Sequence, residues 1–225
     1  MIAVGRSGEK LHSLRERFGA FLSTIQADLS TDEGVQQVAA SIGAQVDAGA
    51  SAIAGIVHAA GSLVSLEPCG EVDVTALEQH FRVHVAAPIK LTQEIGRNHS
   101  IERMLFIDSY SASNARVGWS AYSIVKAAAQ MAARCAAQEL SPTRTIRVYP
   151  GAVKTQVVDA VLESQTETAK AFAAIKERGE LAEPSAVAKF LVALLVDAPD
   201  ALLGAQDSFD YNSAEDRKNV ERLRQ

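Results

Sequence analysis

The chain is short of cysteine, of basic charge and of long apolar runs, and each shortage removes a class of function. Its two cysteines, Cys69 and Cys135, lie far apart and match no metal or redox spacing, so they read as reduced, buried thiols of a cytosolic protein. A net charge of −5 with interspersed signs leaves no footprint for nucleic acid. The longest apolar runs, such as residues 190–196, are far too short to cross a bilayer. No basic, apolar leader opens the sequence, which points away from secretion and toward the cytoplasm. Glycine runs are missing too: Gly118, Gly151 and Gly204 are isolated, and no glycine-rich turn joins an early strand to a helix. Any partner is therefore expected to be a small molecule or another protein.

With 225 residues, 48% of them hydrophobic, the chain can bury one sizeable core, and without a linker-like stretch a single domain over 1–225 is expected. Strand-like segments at 2–4, 21–27, 52–58, 104–109, 145–149 and 208–211 alternate with helical patterns at 9–18, 31–46, 74–97, 121–140, 166–177 and 185–196. Thr31 or Ser30 caps the second helix, and Pro88 should bend the long one or mark a turn within it. Such alternation implies an α/β, doubly wound parallel sheet with helices on both faces. Ligands of these sheets bind beyond the carboxyl ends of the strands. The residues 58–61, Ser109 and the pair Pro150-Gly151 each follow a strand directly, so the candidate chemistry collects there.

Tyr122 stands thirteen positions after Ser109, and Lys126 one helical turn beyond it. A Tyr-x-x-x-Lys pair alone is weak, but a serine at the preceding strand end and a Pro-Gly after the next strand give it context. On a helix, residues four apart face one side. An ammonium there favours the phenolate and is expected to lower the tyrosine pKa from about 10. Such a tyrosine exchanges a proton with a carbonyl oxygen while hydride reaches or leaves the carbon. A facing serine hydroxyl holds the same oxygen as charge develops on it.

Together these motifs resemble the short-chain dehydrogenase/reductase family over residues 1 to about 212, with 213–225 left as a tail or helix. The resemblance implies a Rossmann-like fold, Ser109 as the substrate-orienting serine, Tyr122 as general acid/base and Lys126 as its ribose-binding partner. It also implies a cofactor site made of Asp28 and Leu29 beside adenine, His58, Ala59, Ala60 and Gly61 in the loop after the fourth family strand, and Pro150, Gly151, Val153 and Thr155 at the nicotinamide end. Gly5, Arg6 and Ser7 stand where the family ends its second strand. A guanidinium beside a small residue suits a 2′-phosphate, so NADP(H) is favoured over NAD(H). The partner implied is a small carbonyl or alcohol substrate. The C-terminal half is similar to sepiapterin- and benzil-reductase-like members, which does not fix the substrate.

Three departures accompany the resemblance. His84 replaces the asparagine of the family's central helix, where a backbone carbonyl serves a proton relay. His58 and Ala59 replace two asparagines. The family's opening strand, glycine-rich turn and helix, roughly 30 residues, have no counterpart, so an N-terminally truncated sheet is expected, with its gap between the strands at 2–4 and 52–58. A non-catalytic remnant acting as an interaction subunit is the rival reading. Helices 74–97 and 121–140 match the family's subunit interface and imply a homodimer or homotetramer. Residues 156–181 match its mobile substrate loop. His80 and His84 share a helical face without a third ligand, which suits a surface or relay role better than a metal. Trp119 is expected to be a packing or substrate-wall aromatic.

Overall fold

The computed structural model describes residues 1–49, 52–63, 65–164 and 166–224. Gln165 of the expected substrate loop and Gln225 of the expected tail lie outside the described residues. In chain order the elements are β1 (Ile2–Gly5), α1 (Gly8–Phe18), β2 (Ser23–Gln26), α2 (Asp32–Asp47), β3 (Ile56–His58), α3 (Val74–Phe81), α4 (Ala87–Gly96), β4 (Arg103–Ile107), α5 (Ser120–Glu139), β5 (Arg144–Tyr149), α6 (Gln156–Glu163), α7 (Glu167–Glu177), α8 (Pro184–Val192), α9 (Asp200–Leu203), β6 (Phe209–Asp210) and α10 (Ala214–Glu221).

All strand pairs are parallel, in two sheets: β1–β2, with Ile2 opposite Ser23, and β3–β4–β5–β6, with Ile56 opposite Met104 and Val148 opposite Phe209. Among the described residues β1 and β3 do not pair with each other. Both sheets nevertheless share one core, because alternate residues of a strand face opposite layers. Met104 and Phe106 of β4 pack with Val35 and Val38 of α2, Leu91 and Ile95 of α4, and Ile25 of β2. Leu105, between them, packs on the other face with Phe190 of α8 and with Ile146 and Val148 of β5. Met104 and Leu105 are both fully buried, each contributing about 1.5–3 kcal/mol of apolar transfer.

Helix starts follow local chemistry. Thr31 Oγ1 accepts the N–H of Gly34, Asp73 accepts those of Thr75 and Ala76, and Thr166 accepts that of Ala169. Each such cap is worth about 1 kcal/mol. The long helical stretch is interrupted at 82–86 by a π turn, ahead of Pro88 rather than at it. Pro88 has no N–H to give the carbonyl of His84, four residues earlier, and its ring crowds that carbonyl, so the preceding turn widens.

Other expectations need correction. The third strand is limited to 56–58, with Ile53 making only an isolated bridge to Ile101. Gly55 lies between, where an added Cβ would fall 2.7 Å from Leu195. Within residues 156–181 the helix expected at 166–177 is present as α7, but α6, anchored by buried Val158 and Val161, was not expected. Cys69 and Cys135 are exposed, not buried. The buried stripe of α5 runs through Ala121, Val125 and Ala133, and Cys135, two residues on, falls on the outer face. No helix among the described residues is long and apolar enough to cross a membrane.

Candidate active site

The carboxyl ends of β1, β3, β4 and β5 open onto a run of three adjoining cavities. The first, of 330 Å³, is walled by Gly5 and Arg6 after β1, by Asp28, Leu29 and Ser30 after β2, by Ala60 and Gly61 after β3 and by His80. The second, of 150 Å³, shares Ala60 and Gly61 with it and adds Ala59, His58, His84, Asp108, Tyr122 and Lys126. The third, of 820 Å³, shares Asp108 and Tyr122 with the second and is lined by Ser109, Tyr149, Pro150, Gly151, Val153 and Thr155. Of the residues singled out from sequence, Ser7 alone lies outside these walls; its hydroxyl caps α1 by accepting the N–H of Lys10.

Tyr122 and Lys126 project from one face of α5 into the second cavity, the periodicity that their spacing requires. The Lys126 ammonium, 6% exposed, donates to the carbonyl oxygen of Ile107 at 2.7 Å. Burial pulls its pKa down to about 8, against the pull of the nearby Asp108 carboxylate. The Tyr122 phenol is raised above its ordinary value, contrary to the sequence expectation. Burial raises it most, a hydrogen bond from Ser109 lowers it, and the charge of Asp108 raises it again. Desolvation of the phenolate therefore sets the direction, and Lys126, which spacing places on the same face, is not among the groups that shift it.

Ser109 lies two residues beyond β4, which stops at Ile107 rather than at 109 as expected, and caps a 3₁₀ turn, its Oγ accepting the N–H of Ser111 at 3.2 Å. Gly151 holds φ 73°, a left-handed turn that brings its backbone against Asn212, where a Cβ would fall 2.5 Å from the side chain. Thr155 donates to the carbonyl of Val153 at 3.1 Å and stands immediately before α6.

His84 sits in the π turn with its ring over Gly61, whose φ is 150° and whose missing Cβ would lie 2.1 Å from the imidazole. Its Nε2 is 3.3 Å from the carbonyl of Ser62. A carbonyl only accepts, so this nitrogen carries the proton and Nδ1 is left as an acceptor. Burial, then the charge of Lys126, push its pKa down to about 4, and burial alone does the same to His58, whose ring lies 4.6 Å from that of Phe106. Both are neutral at physiological pH. His80 stacks beside His84 with ring centroids 6.1 Å apart. At the other end, Asp28 is held as carboxylate by the N–H and hydroxyl of Ser30, at 2.9 and 2.8 Å, and Arg6 adds a smaller pull.

Three residues at this site escaped the sequence reading: Asp108, Gln130 and Arg147. The Asp108 carboxylate accepts from Arg147 Nη1 at 3.0 Å, from Gln130 Nε2 at 3.0 Å and from the N–H of Ser109 at 2.7 Å. The available signal was a charge at the end of one apolar strand and another inside its neighbour. Trp119 is both packing residue and wall: 4% exposed, it meets Tyr122 edge-on at 5.4 Å and Phe172 of α7 at 6.4 Å. Tyr110, stacked on Tyr149 at 5.0 Å, and Asn212 complete the opposite wall. The arrangement offers an oxygen-bearing ligand a phenol, a hydroxyl and a nearby ammonium.

The family described as enoyl-(acyl carrier protein) reductase matches residues 2–210. Benzil reductase ((S)-benzoin forming) of Bacillus subtilis is 26% identical over 186 residues, 77% of this chain and 76% of that protein. Sepiapterin reductase of Xenopus laevis is 26% identical over 210 residues, 87% and 79% of the two chains. A solved short-chain dehydrogenase/reductase from Saccharomyces cerevisiae superposes with a TM-score of 0.82 at 24% identity, covering 96% of this chain and 87% of that one. The closed form of serine dehydrogenase complexed with NADP+ superposes less fully, with a TM-score of 0.58 at 23% identity over 68% and 62%. With the parallel sheet and the strand-end cavities in place, the match over 2–210 decides the matter: the chain belongs to the short-chain dehydrogenase/reductase family of nicotinamide-cofactor oxidoreductases.

Proposed function

We propose that the protein is an NADP(H)-dependent carbonyl reductase of small, largely apolar ketones, with Ser109, Tyr122 and Lys126 as its catalytic residues and His84 in the proton path. One observation carries the reading. Tyr122 walls both the cavity that holds Lys126 and the larger one that holds Ser109, so its phenol stands between a cofactor crevice and a substrate chamber.

A nicotinamide dinucleotide would find partners at both ends of the crevice. Arg6, following a strand that ends at Gly5, suits an adenosine 2′-phosphate, with Asp28 and Leu29 beside the base. At the far end Pro150, Gly151, Val153 and Thr155 wall the chamber, and His58, Ala59, Ala60 and Gly61 lie between. No residue walling the first cavity belongs to the first turn of a helix, so a diphosphate there lacks the usual cluster of main-chain donors among the described residues. Reduced nicotinamide, when bound, supplies hydride to a carbonyl carbon. Tyr122 Oη gives its proton to the carbonyl oxygen, which Ser109 Oγ holds. The phenolate left behind lies beside the Lys126 ammonium and recovers a proton from solvent. Neutral His84, its Nε2–H held by Ser62 and its Nδ1 an acceptor, lies near Lys126 and orients the water that brings this proton in.

The chamber supports the substrate class. Val157, Val158, Val161, Phe172, Ile175 and Trp119 form an apolar wall facing Tyr110, Tyr149 and Asn212, which suits an aromatic or bulky ketone with one polar edge. The names of the two reductase relatives agree with that chemistry. Exposed Val74, Phe81 and Ile89 on α3 and α4, with Ile124 and Met131 on α5, support a homodimer or homotetramer through these helices. Two exposed free thiols support a reducing, cytoplasmic location. The test is loss of NADPH absorbance with a panel of aryl ketones and diketones. Turnover that vanishes in Tyr122→Phe supports the reading; equal turnover in that variant removes it.

A further inference from the structure

The buried ion pair under the site belongs to no step of the reaction above. Asp108 is 5% exposed and Arg147, on the neighbouring strand, 9%. Taking two charges out of water is seldom a net gain for stability, so their burial calls for another reason. Asp108 touches three elements at once: Arg147 of β5, Gln130 of α5 and the N–H of Ser109. Gln130 stands one helical turn after Lys126 and also donates to Tyr149 Oη at 2.9 Å. The Lys126 ammonium rests on the carbonyl of Ile107, which belongs to the same peptide unit as the N–H of Asp108. That N–H is itself tied to the carbonyl of Val148 at 2.8 Å.

We propose that Asp108 is a positioning residue: clamped by Arg147 and Gln130, it fixes the main chain of Ser109 and supplies the buried negative charge that faces Lys126 and Tyr122. The inference rests on the reductase reading. The other ionisable groups lining the cavities that the pair faces are Arg147 and Tyr149 from β5, His84 from the π turn, His58 from β3 and, in the large chamber, Tyr110 and Arg116. The histidines are neutral, and Arg147 is already engaged by Asp108. The carboxylate favours the ammonium on Lys126 and the intact phenol on Tyr122, opposing burial at the first and reinforcing it at the second. It thereby keeps the pair in the proton-donating state that ketone reduction needs.

Two variants test this, Asp108→Asn and the charge-balanced Asp108→Asn/Arg147→Gln, which leaves no unpaired buried guanidinium. In each, the Lys126 side chain is titrated by NMR in the cofactor-free protein, its signal assigned by loss in Lys126→Arg. The expected result is that Lys126 holds its proton about tenfold more weakly in Asp108→Asn, and more weakly by a smaller factor in the double variant, where loss of the Arg147 cation offsets part of the effect. The pH profile of ketone reduction should fall off at correspondingly lower pH, with KM for the ketone little changed. An unmoved titration in either folded variant overturns the inference, and if Asp108→Asn does not fold the double variant decides. The NMR reading does not depend on turnover, so it stands apart from failure of the reductase reading, which Tyr122→Phe reports.

Discussion

Lys126 donates its ammonium to the main-chain carbonyl of Ile107 at 2.7 Å, deep in the protein, and its pKa lies near 8. An exposed lysine titrates near 10.4. Between those values the unfolded chain binds more protons than the folded one, so stability rises with pH across that window. The charged lysine thus costs the fold up to about 3 kcal/mol below pH 8. Lys126→Met should lose catalysis yet show no such rise. Urea unfolding of both proteins at about pH 7 and about pH 9.5 measures the difference.

His58 and His84 give the opposite end of the pH range. Each titrates near 4 in the folded protein because burial disfavours the imidazolium, against about 6.5 unfolded. Their contribution is complete above pH 6.5 and is lost as pH falls toward 4, by up to about 3 kcal/mol each. Replacing either by Asn should flatten the acid limb of stability against pH, measured by thermal melts in a buffer series.

Gly61→Ala should damage the site through two separate terms. The new Cβ meets the His84 ring at 2.1 Å, and φ 150° disfavours any side chain. A loss of roughly 1–3 kcal/mol of stability and a drop in turnover are expected. Adding His84→Ala should restore the steric part of the stability and not the turnover. Melting temperatures and rates of the three variants separate the terms.

Arg6→Asp should exchange the cofactor preference. Removing the guanidinium is expected to raise KM for NADPH roughly tenfold or more while leaving NADH unchanged or improved. Because the crevice offers the diphosphate few main-chain donors, these 225 residues should hold NADPH only weakly, with a dissociation constant of roughly 0.1–1 mM. Fluorescence titration with both cofactors checks both statements; clear saturation in the micromolar range goes against the second.

Much of the site was legible because glycine, proline and strand periodicity are local signals. Gly61, Ser109 and Pro150-Gly151 were placed at strand ends by punctuation alone, and Tyr122 and Lys126 on one helix face by a spacing of four. What escaped depends on tertiary neighbours. Asp108 and Arg147 meet because β4 and β5 pair in a register that sets Phe106 opposite Arg147, which a single sequence does not state. Spacing brought Lys126 near Tyr122, but burial decides which way the phenol moves. Pro88 announced a bend, and only its clash with a carbonyl four residues back puts the π turn at 82–86. The exposure of Cys135 is a matter of helix phase, visible once the buried stripe through Val125 and Ala133 is known.

Deuterium transfer tests the central claim most directly. Purified protein is mixed with an aryl diketone and millimolar NADPH carrying deuterium at both C4 positions of the nicotinamide, and the product is read by mass spectrometry. The reductase reading requires deuterium on the new carbinol carbon with the wild-type chain, and loss of that product with Tyr122→Phe. Product of equal yield from both proteins, or unlabelled carbinol from the wild type, contradicts it.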